Sequence, residues 1–129
     1  SVGICEPEEI DRLNIHHASF EAMRHAVCAL SPPPDFVLVD GFRIPNLFIP
    51  QRGIVGGDRR CAGIAAASIV AKVTRDRRML RLHEADPRYG FDRHKGYATA
   101  DHVAAMSQHG YSAAHRRSFR PHALFDTID

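Results

Sequence analysis

Hydrophobic side chains recur at spacings of three and four residues along the first thirty positions, the period of one buried helical face. Glu6 can cap this helix, Pro7 suits its first turn, and the prolines at 32–34 end it. The pattern predicts one helix from Pro7 to about Leu30, with His17 as a core histidine. The positions on the apolar face are Ile10, Leu13, His17, Phe20, Met23, Val27 and Leu30.

A short apolar run at 36–39 is bounded by proline and glycine and is predicted to be a buried strand, and a second short strand is predicted over 53–55. A long helix is expected from 62 to about 84, because its first turns are rich in small residues that pack closely against a sheet. Another helix is expected from the Thr99 cap to about His109. A short last helix could start at 112.

This order of elements predicts an α/β layered domain. Two strands do not make an independent sheet, so we expect the rest of the sheet to lie outside these 129 residues.

Composition narrows the class of protein. A chain of 129 residues with 44% hydrophobic and 25% charged residues fits one folded domain. No apolar run has the length of a membrane-spanning helix, so no membrane partner is expected. Three distant cysteines are read as reduced thiols, which favours a cytoplasmic location.

Charge is unevenly spread along the chain, although the net charge is only +2. Acids gather near the beginning and bases gather in the later segments, around 75–81, 93–95 and 115–120. This asymmetry permits a surface that binds a polyanion, while an ordinary solvated face is the alternative. Nine histidines show no zinc-binding spacing with the cysteines or with one another, so no zinc site is predicted.

Two carboxylates follow the predicted strands. Asp40 and Asp58 each come after a short apolar run and adjoin glycine. Ligands of open α/β sheets bind beyond the carboxyl ends of strands, so the pair could share Mg²⁺ or Mn²⁺. The alternative is that both are turn residues whose side chains bond their own backbone.

Several strings, in this order, resemble ribonuclease HII over nearly the whole chain. The resemblance implies a ribonuclease H-like α/β fold that is incomplete, with amino-terminal strands missing and with carboxyl-terminal helices. It predicts an α/β part over about 1–85 and a helical substrate-binding part over about 86–129. The strings are Asp40-Gly41, Gly57-Asp58, the Ala-rich segment 64–77, Tyr89-Gly90-Phe91, His94-Lys95-Gly96-Tyr97 and His115-Arg116-Arg117-Ser118-Phe119.

The resemblance also implies an activity, namely metal-dependent cleavage of the RNA strand of RNA–DNA hybrids and incision 5′ of single ribonucleotides in duplex DNA. The family uses four carboxylates and two divalent ions, Mn²⁺ or Mg²⁺. Asp40 and Asp58 match the third and fourth of these carboxylates. The first two lie in an Asp-Glu-x-Gly-Arg-Gly string that is absent here. We therefore expect a carboxyl-terminal portion that is inactive alone, from an enzyme that is monomeric when complete.

Four further residues are expected to bind nucleic acid on the strength of the resemblance. Tyr97 matches the family tyrosine that packs against the sugar, and Lys95, Arg116 and Arg117 would contact phosphates. The alternatives are a tyrosine packed under a glycine turn, a solvated lysine and an ordinary basic surface. Two other readings of the whole chain stay open, a non-catalytic hybrid-binding remnant and one half of a split enzyme.

Overall fold

A computed structural model describes residues 1–119. The chain divides into two compact units, Ser1–Lys72 and Val73–Asp129. Residues 120–129, which belong to the predicted substrate-binding part, lie outside the described residues. The predicted division near residue 85 stays a prediction. The elements are α1 (Pro7–Leu13), α2 (Ile15–Cys28), β1 (Val37–Asp40), β2 (Gln51–Ile54), α3 (Gly57–Arg60), α4 (Ala62–Ala85), a 3-10 turn (Pro87–Tyr89), α5 (Phe91–His94) and α6 (Ala100–His109).

The amino-terminal helical segment begins as predicted but is broken in two. The Glu9 carboxylate accepts a hydrogen bond from the Glu6 amide at 2.9 Å, and Pro7 is the first helical residue. The prediction of a single helix to Leu30 is wrong, because Asn14 adopts a positive φ of 67° between α1 and α2. Its side-chain oxygen caps α2 by accepting from the amides of the two residues at 16 and 17. His17 is consequently exposed at the start of α2, and its prediction as a core histidine is wrong.

A parallel pair of strands forms the sheet of the first unit, which confirms a mixed α/β architecture. β1 and β2 lie within a residue or two of the predicted runs, with Val39 opposite Gly53 in the register. The prediction that the first strand is buried is wrong, because Val39 is its one buried residue and Leu38 is 47% exposed. Glycine is needed at 53, because a Cβ there would lie 2.5 Å from the carbonyl oxygen of Gly41. The described residues contain this one two-stranded sheet.

The core of the first unit is small. Val39, Ile44 and Leu47 are buried together, and partly buried side chains of α2 pack against them. The Gln51 side chain holds the loop between the strands by two hydrogen bonds. Its oxygen accepts from the Ile44 amide at 2.7 Å and its nitrogen donates to the Ile44 carbonyl at 2.9 Å. The prolines predict a loop here, and the structure adds that the side-chain amide of Gln51 stabilises its conformation.

The long helix α4 matches its prediction closely, from Ala62 to Ala85. Burial of its first turns is limited to Ile64, the one buried residue of the helix, whereas Ile69 is 64% exposed. No helix of the described residues is long and apolar enough to cross a membrane.

The second unit is built around the 3-10 turn, α5 and α6. Thr99 caps α6 by accepting from the His102 amide at 3.3 Å, and Gly110 ends it, as predicted. The prediction of a short helix starting at 112 is wrong, since the described residues after α6 form turns and irregular backbone. Tyr89, Phe91 and Met106 are the buried residues of the core, with Met79, Leu82, Ala105 and Ala114 packed against them.

Candidate functional sites

The first candidate site is the carboxyl edge of the two strands. Asp40 is the last residue of β1, and Asp58 lies in the first turn of α3, shortly after β2 ends. Because the strands are parallel, both carboxyl ends meet at one edge of the sheet. Both side chains are exposed.

Backbone geometry links the two acids. The Gly57 amide donates a hydrogen bond to Asp40 Oδ1 at 2.9 Å, and Gly57 immediately precedes Asp58. The turn is close, because a Cβ at Gly57 would lie 2.7 Å from Ile64 Cδ1. The bond gives Asp40 a partner from the turn that carries Asp58, and this partner lies 17 residues away along the chain. The exposed oxygens still leave both carboxylates open to solvent and ligands.

Carboxylate oxygens are the ligand type that Mg²⁺ and Mn²⁺ prefer, so the chemistry of the pair fits a hard divalent cation. Within residues 1–119, however, there is no group of three or more histidine, cysteine, aspartate or glutamate side chains that could hold a metal ion. Asp40 and Asp58 thus provide two ligands of the right kind and would need further ligands for a complete centre.

The second candidate site is an exposed ring in the second unit. Tyr97 is 62% exposed, which disfavours a tyrosine buried under a glycine turn. The guanidinium of Arg75, on α4, lies over the ring with its Cζ 4.8 Å from the centroid. This cation–π contact fixes the ring from one side. Sequence reasoning did not single out Arg75, which was part of a general basic run.

The three predicted phosphate-binding side chains have different surroundings. Lys95 ends α5 with a left-handed φ of 50°, and its ammonium donates to the carbonyl oxygen of Asp92. The Arg116 guanidinium lies over the Phe119 ring with Cζ 5.1 Å from the centroid. Arg117 is exposed. Of these, Lys95 is bonded to its own helix, while the two arginines lie close to the end of the described residues.

Three histidines meet in the interior of the second unit and were missed by the sequence analysis. His94, His102 and His115 are 6–9% exposed. The His94 and His102 rings stack at 4.1 Å, and the Nε2 atoms of His102 and His115 are 2.9 Å apart. They come from three separate segments at spacings of no known motif, so no sequence signal could have joined them.

Burial sets the charge state of two of these rings. It lowers the pKa of His115 from 6.5 to about 4, with the neighbouring His102 as a further cause. Burial also lowers the pKa of His102. On the surface nearby, hydrogen bonds from Arg88 lower the pKa of Asp86 to about 2. The second unit therefore holds neutral imidazoles inside and a firmly ionised acid outside.

Comparison with known proteins shows that this chain is similar to a class of nucleases. The family model described as Ribonuclease HII matches residues 3–122. Similar proteins include Ribonuclease HII 2 of Methylibium petroleiphilum, 59% identical over 88% of this chain and 52% of that protein. Ribonuclease HII of Chromohalobacter salexigens is 53% identical over 94% of this chain and 60% of its own length. Ribonuclease HII of Psychromonas ingrahamii is 52% identical over 94% and 59%.

The chain belongs to the ribonuclease HII family, which confirms the resemblance drawn from its motifs. It spans between half and three-fifths of the length of the curated relatives that it matches.

Proposed function

We propose that this chain is part of a divalent-metal-dependent endoribonuclease that cleaves the RNA strand of RNA–DNA hybrids and incises 5′ of single ribonucleotides in duplex DNA. Family membership supports the reaction class. The hydrogen bond between Asp40 and the Gly57–Asp58 turn, at the carboxyl edge of the parallel strands, supports this edge as the location of the active site.

Asp40 and Asp58 would bind the metal together with the two carboxylates of the Asp-Glu-x-Gly-Arg-Gly string. Mg²⁺ or Mn²⁺ bound there, two ions in the complete site, would activate a water and stabilise the leaving oxygen. The contribution of this chain is to hold two anionic oxygen donors at adjacent strand ends. The Gly57 amide keeps one Asp40 oxygen in place, which leaves the other oxygen for a cation. The Asp-Glu-x-Gly-Arg-Gly string is absent from the 129 residues, so we expect no cleavage by this chain alone.

Recognition of the substrate would fall to the second unit. Tyr97 offers a broad exposed ring for packing against the sugar beside the scissile bond. Lys95, Arg116 and Arg117 would contact backbone phosphates, which adds affinity without sequence choice. This assignment follows the sequence prediction of a substrate-binding part over about 86–129. We further propose that the complete enzyme is monomeric and acts in the cytoplasm.

Metal binding by the chain itself is the direct test of the site. Mn²⁺ titrated into the ¹⁵N-labelled chain should broaden the amide signals of Gly41 and Gly57, because both lie beside the two carboxylates. Asp40→Asn and Asp58→Asn should each reduce this broadening strongly. Asp35→Asn, which removes an exposed acid just before β1, is the matched control and should leave the broadening unchanged. Equal broadening in all variants would contradict a metal role for Asp40 and Asp58.

A further inference from the structure

The hydrogen bonds around His94 define its proton. Nε2 lies 2.6 Å from the carbonyl oxygen of Tyr89, which can only accept, so Nε2 carries a hydrogen. Nδ1 lies 3.1 Å from the Gly96 amide, which can only donate, so Nδ1 carries none. His94 is therefore a neutral ring that holds two segments of backbone, at the start of α5 and just beyond its end.

The same argument fixes the other two rings. His115 Nδ1 accepts from the Ser112 amide at 3.0 Å, so its hydrogen is on Nε2 and points to His102 Nε2 at 2.9 Å. His102 Nε2 must then accept, and His102 Nδ1 donates to the carbonyl oxygen of Tyr97 at 2.8 Å. The bonds run in one direction, from Ser112 through His115 and His102 to Tyr97. A hydrogen added at His102 Nε2 would point at the hydrogen of His115 Nε2. A hydrogen added at His115 Nδ1 would point at the Ser112 amide, with the Ser112 hydroxyl oxygen, 2.8 Å from Nδ1, as its acceptor.

We propose that His115 and His102, with the His94 ring stacked against His102, form a neutral relay of hydrogen bonds that positions Tyr97 for substrate. This inference rests on the proposed function, in which the Tyr97 ring packs against the sugar. The relay holds the carbonyl oxygen of Tyr97 through His102 Nδ1, while the Tyr97 amide donates to the backbone carbonyl of His94 at 2.9 Å, a turn contact that does not involve the His94 ring. The Tyr97 ring itself stays exposed, with Arg75 over one face.

The surroundings of the relay favour neutral rings. The Phe91 ring contacts all three histidines at centroid distances of 5.5–5.7 Å, and Tyr89 lies 4.8 Å from His115. Tyr111 approaches His115 at 5.9 Å. Asp86 is the acid that acts on His115 in favour of its charged form, but Asp86 is engaged by Arg88 with a hydrogen bond of 2.7 Å. His109 and Arg88 contact the Tyr89 ring.

The first test reads the protons directly in the unsubstituted full chain. Long-range ¹H–¹⁵N correlation spectra at pH 7 distinguish the two neutral imidazole tautomers and the imidazolium. We expect a hydrogen on Nε2 of His94 and His115 and on Nδ1 of His102. A hydrogen on Nε2 of His102, or a charged ring at any of the three positions, would overturn the relay. This measurement needs no substitution and so does not depend on how well a variant folds.

The second test uses a matched pair of variants at one position. In His102→Asn the side-chain amide can replace Nδ1 and still donate to the Tyr97 carbonyl, whereas in His102→Gln it replaces Nε2 and loses that bond. Nuclear Overhauser contacts between the Tyr97 ring and the Arg75 side chain report the position of the ring. We expect these contacts to persist in His102→Asn and to weaken in His102→Gln. Equal behaviour of the two variants would mean that His102 fills space and does not position Tyr97.

Binding of nucleic acid separates this inference from the proposed function. The probe is a DNA duplex with one embedded ribonucleotide, and the expected loss of affinity in His102→Gln relative to His102→Asn is about threefold to tenfold. If the Tyr97 contacts change as expected but affinity does not, the relay stands and the substrate role of Tyr97 fails. If the contacts do not change, the relay fails whatever the affinity.

Discussion

The two units present their candidate functional groups in opposite ways. In the first unit, Asp40 and Asp58 are exposed and owe their position to the backbone, namely the ends of two parallel strands and one amide bond from Gly57. In the second unit, the exposed ring of Tyr97 depends on buried histidine side chains. A site carried by strand ends tolerates changes in neighbouring side chains, whereas a site carried by a buried polar network does not.

The two units also differ in how well their apolar side chains are covered. Large hydrophobic side chains of the first unit remain open, with Phe48 96%, Phe42 72% and Val55 68% exposed. In the second unit, Tyr89 and Phe91 are 2% and 4% exposed and pack against the histidines. The second unit is thus the more self-contained of the two as described. The following predictions test this contrast, from the largest expected effect to the smallest.

Asp58→Asn should have the largest effect on activity. In a ribonuclease HII that carries this segment together with the Asp-Glu-x-Gly-Arg-Gly strand, we expect turnover to fall about 10²–10³-fold. Hybrid binding should be nearly unchanged, because the substitution removes a metal ligand and no substrate contact. Single-turnover cleavage and equilibrium binding measure the two quantities, with Asp35→Asn as the control. A parallel loss of binding and rate would contradict a metal role for Asp58.

Tyr97→Ala should weaken binding at a single embedded ribonucleotide by about tenfold, since an aromatic ring that stacks on nucleic acid is worth about 1–3 kcal/mol. Tyr97→Phe keeps the ring and isolates the contribution of the hydroxyl. We expect Tyr97→Phe to retain most of the affinity, as measured by fluorescence anisotropy with a labelled duplex. Unchanged affinity in Tyr97→Ala would return Tyr97 to a surface residue without a substrate role.

Acid should destabilise the second unit in two separate ranges of pH. The folded pKa of His115 is lowered from 6.5 to about 4, so the unfolded chain binds more protons between these values and the free energy of unfolding falls as pH falls. The loss should be about 1–3 kcal/mol. The lowered pKa of Asp86 acts between 3.8 and about 2, where stability again falls with pH. Urea unfolding at a series of pH values measures both ranges.

His115→Gln is the control for the upper range, because glutamine keeps a donor near the Nε2 position and does not titrate. The dependence of stability on pH between 6.5 and 4 should become weaker in this variant, with His102, whose pKa burial also lowers, responsible for what remains, while the lower range stays. An unchanged upper range would mean that His115 is not the group that titrates.

Gly57→Ala should lower the free energy of unfolding by about 1–3 kcal/mol, because the added methyl group must displace Ile64 and crowds Asp40. Gly63→Ala is the matched control on α4, where the nearest atom to an added Cβ is 3.9 Å away. It should change the free energy of unfolding little, because Gly63 is the second residue of α4 and the gain from alanine applies to helix interiors. Chemical denaturation measures both. Equal effects of the two substitutions would contradict the close packing at the carboxylate turn.

Substitution of Arg116 or Arg117 by Gln should have the smallest effect. Each lost phosphate contact should reduce the slope of log affinity against log salt by about 0.9, with no change in preference between substrates. Arg12→Gln, an exposed arginine in α1, is the control and should leave the slope unchanged. A change in substrate preference in place of the slope would contradict a phosphate contact.

Regular elements were largely predictable because their signals are local. α4 and α6 follow from helix propensity and caps, such as Thr99 before α6, and both strands lie close to the predicted apolar runs. The break at Asn14 was not predicted, since the spacing of apolar residues runs through it without interruption. A left-handed residue whose side chain caps the next helix outweighs that periodicity.

The sequence by itself determined the family, the α/β class and the order of the two strands, α4 and α6. These follow from motifs and from periodicity, which act over a few neighbouring residues. Only the tertiary structure decided which polar groups meet. It brought the Gly57 amide to Asp40, placed Arg75 over Tyr97 and joined three histidines from separate segments. Such contacts depend on how elements distant in sequence pack together, and burial then sets the charge of the histidines, so neither could be read from the chain alone.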